Sequence, residues 1–388
     1  MPVGPRLLVA HCRGGFEPET AADLRRLAAE TREEITLDAP AGRAFVTGSL
    51  DRLDTRSLSR AFSRSPPIFA RSLFSGTGPH ALFDRRGSTA RPDRVGPLIE
   101  LIEKEANGAQ HAPGLFAQPS QPYDALRLET ADTNEGKALS GLARSLEARL
   151  ANELATRGLL RPEHERDATA QRGQHLHVLF ADGAHAYVGT SVAPWASRWT
   201  MGIPRLRMPG RAPSRSTLKL AEAFVVFLQG RELELLRAGM RAVDLGAAPG
   251  GWTWQLTQRG LRVTAVDNGQ LKGEVRDDPL VTHLRTDGLS YLPKRPVHWM
   301  VCDIVEKPSR IAGLVARWIG EGHARQAIFN LKLPMKKRYD EVRRCEGIIR
   351  EALEKARIEH TLVLRQLYHD REEVTGYVES AGMMPRRR

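Results

Sequence analysis

An α/β protein of at least two domains is predicted, with a mostly parallel sheet in the C-terminal half and an α+β assembly before it. From Ser216 onward, short apolar strand candidates alternate with helix candidates, which is the pattern of a parallel sheet with helical crossovers. One buried strand there runs into a glycine-rich turn and a helix, as in Rossmann-like sheets. The first ~75 residues follow the order β-α-β-β-α-β, which is typical of a ferredoxin-like unit.

The ferredoxin-like unit is predicted over residues 1–75. Its first helix candidate carries Ala21, Leu24, Leu27 and Ala28 at helical spacing, which predicts one buried face. The strand candidates are Leu7–Ala10, a segment near Ile35, Arg43–Leu50 and Ile68–Leu73, and the helix candidates are Glu17–Ala29 and Arg52–Phe62.

A second N-terminal domain is predicted over residues 76–193. A loop-rich stretch covers about 76–95, and an Asp-Gly pair between two later apolar runs predicts a β-hairpin. The other candidates are the helices Pro97–Glu105 and Asn134–Arg157 and the strands Ala125–Thr130, His175–Phe180 and Ala186–Thr190. No acid–base constellation stands out here, so we expect this domain to bind or support rather than to catalyse.

Residues 194–215 are predicted to be an interdomain linker, because proline recurs too often there for a helix interior. The stretch also carries Trp195, Trp199 and several arginines, which could equally contact RNA bases and backbone. Both interpretations stay open at this point.

The last domain is predicted over 216–388. Its strand candidates are Ala242–Leu245, Val263–Val266, His283–Arg285, Trp299–Cys302, Ala327–Leu331, Thr361–Leu364 and a segment near Val374.

A net charge of +12 and a pI of about 10.0 favour a polyanionic partner, with nucleic acid first. A generally arginine-rich proteome is the alternative, but the cations are clustered, which favours RNA or DNA. The clusters are Arg205, Arg207, Arg211 and Arg215; Lys332, Lys336, Lys337 and Arg338; and Arg386–Arg388.

Three widely spaced cysteines indicate neither a disulfide framework nor a zinc site. With no apolar run long enough for a membrane helix and no secretory leader, a cytoplasmic protein without a metal is expected.

The glycine-rich turn follows the strand that ends at Leu245, and its spacing is not G-x-G-x-x-G. Acids come after successive strands: Asp267 is placed to accept from ribose hydroxyls, and Asp287 from an adenine amino group. Together with Asp244 and Asp303, these carboxylates suit a cationic cofactor better than a pyrophosphate. They therefore favour S-adenosylmethionine over NAD, which needs bare amides at a helix start.

Lys332 lies at the end of an apolar strand and is a candidate proton acceptor. Partial burial there is predicted to lower the lysine pKa, and a neutral lysine can take a proton from a ribose 2′-hydroxyl. Lys219 lies off the apolar stripe of its helix, and a surface pair with Glu222 is the alternative for it. Asp303 ends one strand and Glu373 enters another, where an ordinary exposed charge is the alternative. Two lysines and two carboxylates in contact would titrate as one cluster.

The order lysine, aspartate, lysine, glutamate around an Ala-Pro-Gly-Gly-Trp turn resembles the FtsJ-like 2′-O-ribose RNA methyltransferases. Longer segments at 212–220, 299–303, 330–339 and 365–374 are similar to the RlmM family, which methylates a cytidine ribose in 23S ribosomal RNA. The similarity covers nearly the whole chain, is strongest from Met201 to Thr375, and is weaker over about 76–125. It implies a ferredoxin-like piece and a THUMP RNA-binding domain in the N-terminal half.

The resemblance also implies the site residues. It makes Lys332 the proton acceptor, with Lys219, Asp303 and Glu373 completing a tetrad. The implied contacts of S-adenosylmethionine are Ser216, Ala248, Pro249, Gly250, Gly251, Asp267, Asp287 and Asp303. Some relatives are expected to have cysteine where this chain has Ala248. The implied partner is 23S ribosomal RNA, with no membrane and no obligate protein partner. Two alternatives are a non-catalytic RNA-binding or ribosome-assembly factor and an NAD-dependent oxidoreductase.

Overall fold

The computed structural model describes residues 6–50, 55–83, 92–111, 121–165, 173–193 and 195–381. The chain divides into two compact units, Met1–Ile203 and Pro204–Arg388. The predicted basic cluster at Arg386–Arg388 lies outside the described residues. Among the helices that are described, none has the length and apolar character that a membrane crossing requires.

The N-terminal unit begins with the predicted β-α-β-β-α-β order. Its elements are β1 (Leu7–His11), α1 (Glu17–Thr31), β2 (Ile35–Asp38), β3 (Phe45–Leu50), α2 (Thr55–Arg64), β4 (Ser72–Ala81), α3 (Val95–His111), β5 (Ala125–Thr130), α4 (Asn134–Thr156), β6 (His175–Phe180) and β7 (His185–Ser191). In the described residues these strands form one sheet in the order β2-β3-β1-β4-β7-β6-β5. The first four strands are antiparallel neighbours, which confirms the ferredoxin-like arrangement.

Strand β4 starts later than the predicted Ile68–Leu73 and pairs with both β1 and β7. The reason is a tertiary contact: the buried carboxylate of Asp23 accepts the amides of Ile68 and Phe69 at 2.8 and 2.7 Å, so those amides are not available to a sheet neighbour. Because β4 pairs on both sides, the segments predicted as 1–75 and 76–193 share one sheet. The boundaries themselves stay a prediction.

The predicted linker includes residues that pack into the N-terminal unit. Trp195 is 3% exposed, and its ring lies 4.2 Å from that of Phe62. Met201 and Ile203 are also buried. The open alternative that Trp195 contacts RNA bases is therefore wrong, because its ring is packed in the core.

The C-terminal unit contains all seven predicted strands, with slightly different bounds. Its elements are α5 (Thr217–Leu228), α6 (Glu232–Leu235), β8 (Arg241–Leu245), α7 (Gly251–Thr257), β9 (Arg262–Val266), β10 (Val281–Leu284), β11 (Val297–Cys302), α8 (Pro308–Gly320), β12 (Ala324–Lys332), α9 (Arg338–Lys355), β13 (His360–Arg365) and β14 (Glu373–Ser380). Among the described residues the sheet order is β10-β9-β8-β11-β12-β14-β13.

The strand order of this sheet fixes where a ligand can bind. Strands β8 to β12 are parallel, and β14 runs antiparallel between β12 and β13. The order reverses between β8 and β11, and loops diverge at such a switch point to leave a crevice at the carboxyl ends of the strands. The glycine-rich turn follows β8 and Asp303 follows β11, so both lie at the switch point.

Helix α5 is held on the sheet by its apolar face. Leu220 and Phe224 are fully buried, and the Phe224 ring meets that of Trp299 edge-on at 6.0 Å. Lys219 lies off this stripe in the first turn, as the sequence predicts. The packing thereby sets the position of Lys219 relative to the strand ends.

Candidate active site

The turn between β8 and α7 depends on glycine at two positions. Gly246 has φ 77°, and a Cβ there would lie 2.8 Å from Cγ1 of Ile304. Gly250 has φ 114°, and its Cβ would lie 2.4 Å from Cγ2 of Val275. Positive φ and the lack of space both exclude larger residues, so the turn stays close to the strand ends.

The carboxylate of Asp267 is fixed beside this turn. Its Oδ2 accepts the amide of Ala248 at 3.0 Å, and its Oδ1 accepts the amide of Gly269 at 2.7 Å. Each oxygen keeps a second lone pair, so the group can also accept from the two hydroxyls of a ribose. This geometry fits the predicted role of Asp267.

Ser216 and Gly251 meet where α5 begins. The Ser216 carbonyl accepts the indole N–H of Trp252 at 3.1 Å, and its hydroxyl lies 2.7 Å from that of Ser214. A Cβ on Gly251 would lie 2.3 Å from the Ser216 Oγ. The two predicted contact residues thus lie side by side, with no room for a side chain at Gly251.

Asp244 is a fully buried acid at this end of the sheet. Thr253 donates to its Oδ2 at 2.6 Å, whereas no described residue donates to the buried Oδ1. Burial raises the pKa of Asp244 to about 7, and the nearby carboxylate of Asp303 adds to the rise. A buried acceptor without a donor is costly, which fits a site for a cation or an N–H group of a ligand.

Asp287 lies on the exposed loop after β10. Its Oδ1 accepts the amide of Leu289 at 3.0 Å. That hydrogen bond, helped by Ser290, lowers its pKa, so the side chain is an ionised acceptor. This position is compatible with the predicted contact to an adenine amino group.

The four predicted tetrad residues come together as one ionic cluster. Lys219 Nζ donates to both oxygens of Glu373 at 2.8 and 2.7 Å and lies 3.5 Å from Asp303 Oδ2. Lys332 Nζ lies 2.5 Å from Asp303 Oδ1 and 2.9 Å from Glu373 Oε2. Their side chains are between 14% and 21% exposed, so the cluster is shielded but can be reached by a substrate.

Two expectations about the lysines are wrong. Burial alone disfavours the ammonium, but the carboxylates of Asp303 and Glu373 outweigh it, and the pKa of Lys332 is raised rather than lowered. The alternative surface pair of Lys219 with Glu222 does not form. Glu222 is buried and accepts the amides of Tyr368 and His369 at 2.8 and 2.9 Å.

Sequence reasoning missed three buried polar residues next to the tetrad. Asn330 donates to Asp303 and Glu373, Thr375 contacts Asn330, and Asp370 contacts Thr375. A signal was present, because Asn330 and Lys332 lie two residues apart on one strand and therefore on one face. Spacing could not predict that the strand near Val374, which carries Glu373 and Thr375, pairs with β12.

A second polar cluster, in the N-terminal unit, does not form an accessible site. Ser191 Oγ lies 2.8 Å from His177 Nε2, and His177 Nδ1 lies 3.0 Å from Glu129 Oε2. The sequence of contacts is that of a hydrolase triad, but all three residues are at most 2% exposed. The serine is enclosed in the core of the N-terminal unit, and we assign it no catalytic role.

A mostly parallel sheet with a glycine turn and the carboxylate of Asp303 at its switch point is typical of S-adenosylmethionine-dependent methyltransferases. Residues 212–358 match the FtsJ-like methyltransferase family, and residues 93–192 match the N-terminal family of ribosomal RNA large subunit methyltransferase M. Ribosomal RNA large subunit methyltransferase M of Methylococcus capsulatus is 45% identical over 378 residues, which cover 97% of this chain and 98% of the relative. Its namesake in Azoarcus sp. is 43% identical over 96% of this chain and 95% of the relative.

These relatives are similar over their full length, so the chain belongs to the ribosomal RNA large subunit methyltransferase M family. The predicted resemblance is confirmed, and so is the class of enzyme. The alternative of an NAD-dependent oxidoreductase is wrong. The role of each tetrad residue is not given by family membership.

Proposed function

We propose that this protein methylates the 2′-hydroxyl of a ribose in large-subunit ribosomal RNA, on a cytidine of 23S RNA, with S-adenosylmethionine as methyl donor. The observation that carries the proposal is the cluster of Lys219, Asp303, Lys332 and Glu373 at the switch point of a methyltransferase sheet. A ribose hydroxyl is a weak acid, and such a cluster can position it and remove its proton. The relatives are named ribosomal RNA large subunit methyltransferase M, which supports the choice of RNA.

The residues present fit the donor. S-adenosylmethionine, when bound, supplies an activated methyl group on a positively charged sulfur. Asp267 would hold the ribose hydroxyls, the unpaired Oδ1 of Asp244 would accept from the amino-acid end, and Asp287 would accept from the adenine. The glycine turn and Ser216 would let the donor approach the strand ends.

Lys332 Nζ takes the proton of the 2′-hydroxyl in this proposal. The bond from that oxygen to the methyl carbon forms as the carbon–sulfur bond breaks, and the proton moves to the neutral amine. Asp303 and Glu373 hold a proton on Lys332 before the reaction, so the ammonium must first release that proton to solvent, which its partly exposed side chain can reach. Positive charge brought to the site by the donor acts in that direction, because like charge lowers a lysine pKa.

Methylation of a pyrimidine carbon is the less favoured reaction, because a covalent route to it needs an accessible thiolate. The three cysteines of the chain, Cys12, Cys302 and Cys345, are all buried. Burial raises the pKa of each thiol to about 12. Cys302 precedes Asp303, but its thiol is held neutral.

The N-terminal half supplies RNA binding in this proposal, with residues 76–193 acting as a THUMP-like domain and 194–215 as a linker. A protein that acts on ribosomal RNA works where ribosomes assemble, so its location is the cytoplasm. No obligate protein partner is required. A non-catalytic assembly factor is the second candidate, and the experiment below separates the two.

Transfer of a labelled methyl group from S-adenosylmethionine to naked 23S RNA tests the function. The RNA should come from cells that lack the protein, because an already methylated site accepts no label. We expect stoichiometric labelling of 23S RNA and none of 16S RNA. Labelling of no RNA, naked or in precursor particles, together with intact RNA binding, would identify the assembly factor instead.

The exposed lysines after the tetrad strand are expected to contact RNA phosphates. Lys336 and Lys337 lie on the loop between Lys332 and α9. Reversing both charges (Lys336→Glu with Lys337→Glu) should raise KM for RNA about tenfold or more at low salt and flatten its salt dependence, since fewer counterions are released. The double reversal Lys294→Glu with Lys355→Glu, at two other exposed positions, is the matched control. Equal effects of the two changes on KM would contradict a local contact.

A further inference from the structure

A second set of polar residues, which is buried, is hydrogen-bonded to the carboxylates of the tetrad. Strands β12 and β14 are antiparallel, and Lys332 lies opposite Glu373 while Asn330 lies opposite Thr375. The two pairs are two residues apart, so their side chains share one face of the sheet. Asn330 and Thr375 are fully buried. Asn330 and Thr375 therefore lie next to Lys332 and Glu373 on the same face, one step further into the protein interior.

The orientation of the Asn330 amide follows from its neighbours. Its Nδ2 lies 3.0 Å from Asp303 Oδ1 and 2.9 Å from Glu373 Oε2. Only an N–H donor is stable between two carboxylate oxygens, so the amide oxygen faces Thr375. Thr375 Oγ1 lies 2.8 Å from that oxygen. An amide oxygen only accepts, so the threonine hydroxyl donates its single proton to Asn330.

The Thr375 proton on Asn330 also fixes the direction of the contact between Asp370 and Thr375. Its carboxyl oxygens lie 3.0 and 2.9 Å from Thr375 Oγ1, whose proton is already used. A hydrogen bond there needs a proton on Asp370, which then donates to Thr375. The other contact is compatible, because the amide of Leu367 donates to Asp370 Oδ2 at 3.0 Å. Burial raises the pKa of Asp370 well above its usual range, and the carboxylates of Glu222 and Glu373 add to the rise.

We propose that Asp370, Thr375 and Asn330 form a directional hydrogen-bond network that positions the carboxylates of Asp303 and Glu373 for the two lysines, with Asp370 protonated. We name it the carboxylate-orienting network. Its residues are positioning residues, since none of them touches the reacting atoms. The proposal rests on the proposed function for its effect on rate. The protonation of Asp370 is independent of that function.

Removing the threonine hydroxyl tests the effect on rate. Thr375→Val keeps the shape but lets the Asn330 amide turn, so that carboxylate oxygens and an amide oxygen can oppose one another. We expect kcat to fall between about tenfold and hundredfold, as small misplacements of catalytic groups do, with KM for both substrates nearly unchanged. Thr375→Ser should restore most of the rate. Ser380→Ala, which removes a buried hydroxyl from the other end of β14, is the control.

The stability of Asp370→Asn as a function of pH tests the protonation state without any RNA. An asparagine can donate to Thr375 and accept from Leu367 at every pH. For Asp370 itself, a folded-state pKa above the unfolded value means that its contribution is present at low pH and is lost as pH rises toward the folded pKa. The folding equilibrium of the variant should therefore improve relative to wild type as pH rises from 5 to 8, by up to about tenfold per pH unit.

The two readouts separate the possible failures. If the stability of Asp370→Asn relative to wild type is constant or falls with rising pH, Asp370 is ionised, and the proposed hydrogen-bond network is overturned. A Thr375→Val enzyme with wild-type kcat, or a Thr375→Ser enzyme as slow as the valine variant, would overturn the positioning role. If wild type itself methylates no RNA, the proposed function fails, whereas the pH dependence of stability still decides the state of Asp370.

Discussion

Lys332→Arg is expected to lower the rate constant of methyl transfer by about 10²- to 10⁴-fold, the usual contribution of a general base. Arginine keeps the positive charge and the pairs with Asp303 and Glu373, but it cannot give up a proton at accessible pH. Binding of S-adenosylmethionine should stay as in wild type, because Lys332 is not among the residues that would hold it. Single-turnover assays at saturating RNA measure the rate constant directly.

The pH dependence of the same rate is the sharper part of this prediction. The carboxylates raise the pKa of Lys332, so only a small neutral fraction exists near pH 7. The wild-type rate should therefore rise about tenfold per pH unit between pH 6.5 and 8.5. The residual rate of Lys332→Arg should lack this rise. Lys355→Arg, an exposed position, is the control. A Lys332→Arg enzyme within a few-fold of wild type would mean that Lys332 only positions the hydroxyl.

Asp244→Asn is expected to weaken binding of S-adenosylmethionine by at least about 30-fold, because truncating one partner of a buried charged hydrogen bond costs about 2 kcal/mol or more. In wild type the pKa of Asp244 is raised to about 7. A cationic ligand favours the carboxylate, so the ligand should bind more weakly as pH falls below 7, by up to about tenfold per unit, and should release a proton at pH 6. Calorimetry in buffers of different ionisation enthalpy measures both quantities.

The same substitution should change stability in the opposite direction. Since the folded-state pKa of Asp244 is raised, its contribution to the free energy of unfolding is lost as pH rises from about 4 to 7. Asp244→Asn has no such loss and should gain stability relative to wild type over that range. Glu351→Gln, on the exposed face of α9, controls for removal of a charge. Binding that is independent of pH in wild type would contradict the assigned role of Asp244.

The placement of Asp303 beside Lys332, and of Asp267 beside the glycine turn, could be predicted because these positions follow from local patterns. Each of Asp267, Asp303 and Lys332 comes at the end of an apolar run, and parallel strands bring such ends together. The direction of the Lys332 pKa could not be predicted. It depends on carboxylates 29 and 41 residues away along the chain, and burial alone predicts the opposite sign.

Features that depend on tertiary contacts could not be predicted from the sequence. The start of β4 depends on the buried Asp23, which removes two amides from the sheet. Asn330 becomes interpretable only once β14 is known to lie antiparallel to β12, with Thr375 opposite. The combination of arginine and aromatic residues leaves an RNA contact open for Trp195, but in the structure its ring packs against Phe62. Long-range packing decides each of these cases.

Nucleoside analysis of 23S RNA after reaction with the protein tests the central claim most directly. RNA from cells without the protein should be treated with wild type or with Lys332→Ala, digested completely, and separated by mass spectrometry. We predict one 2′-O-methylcytidine per 23S molecule with wild type and none above background with the variant. A methyl group on a base, or an equal yield of 2′-O-methylcytidine from Lys332→Ala, would contradict methylation of a ribose by this tetrad.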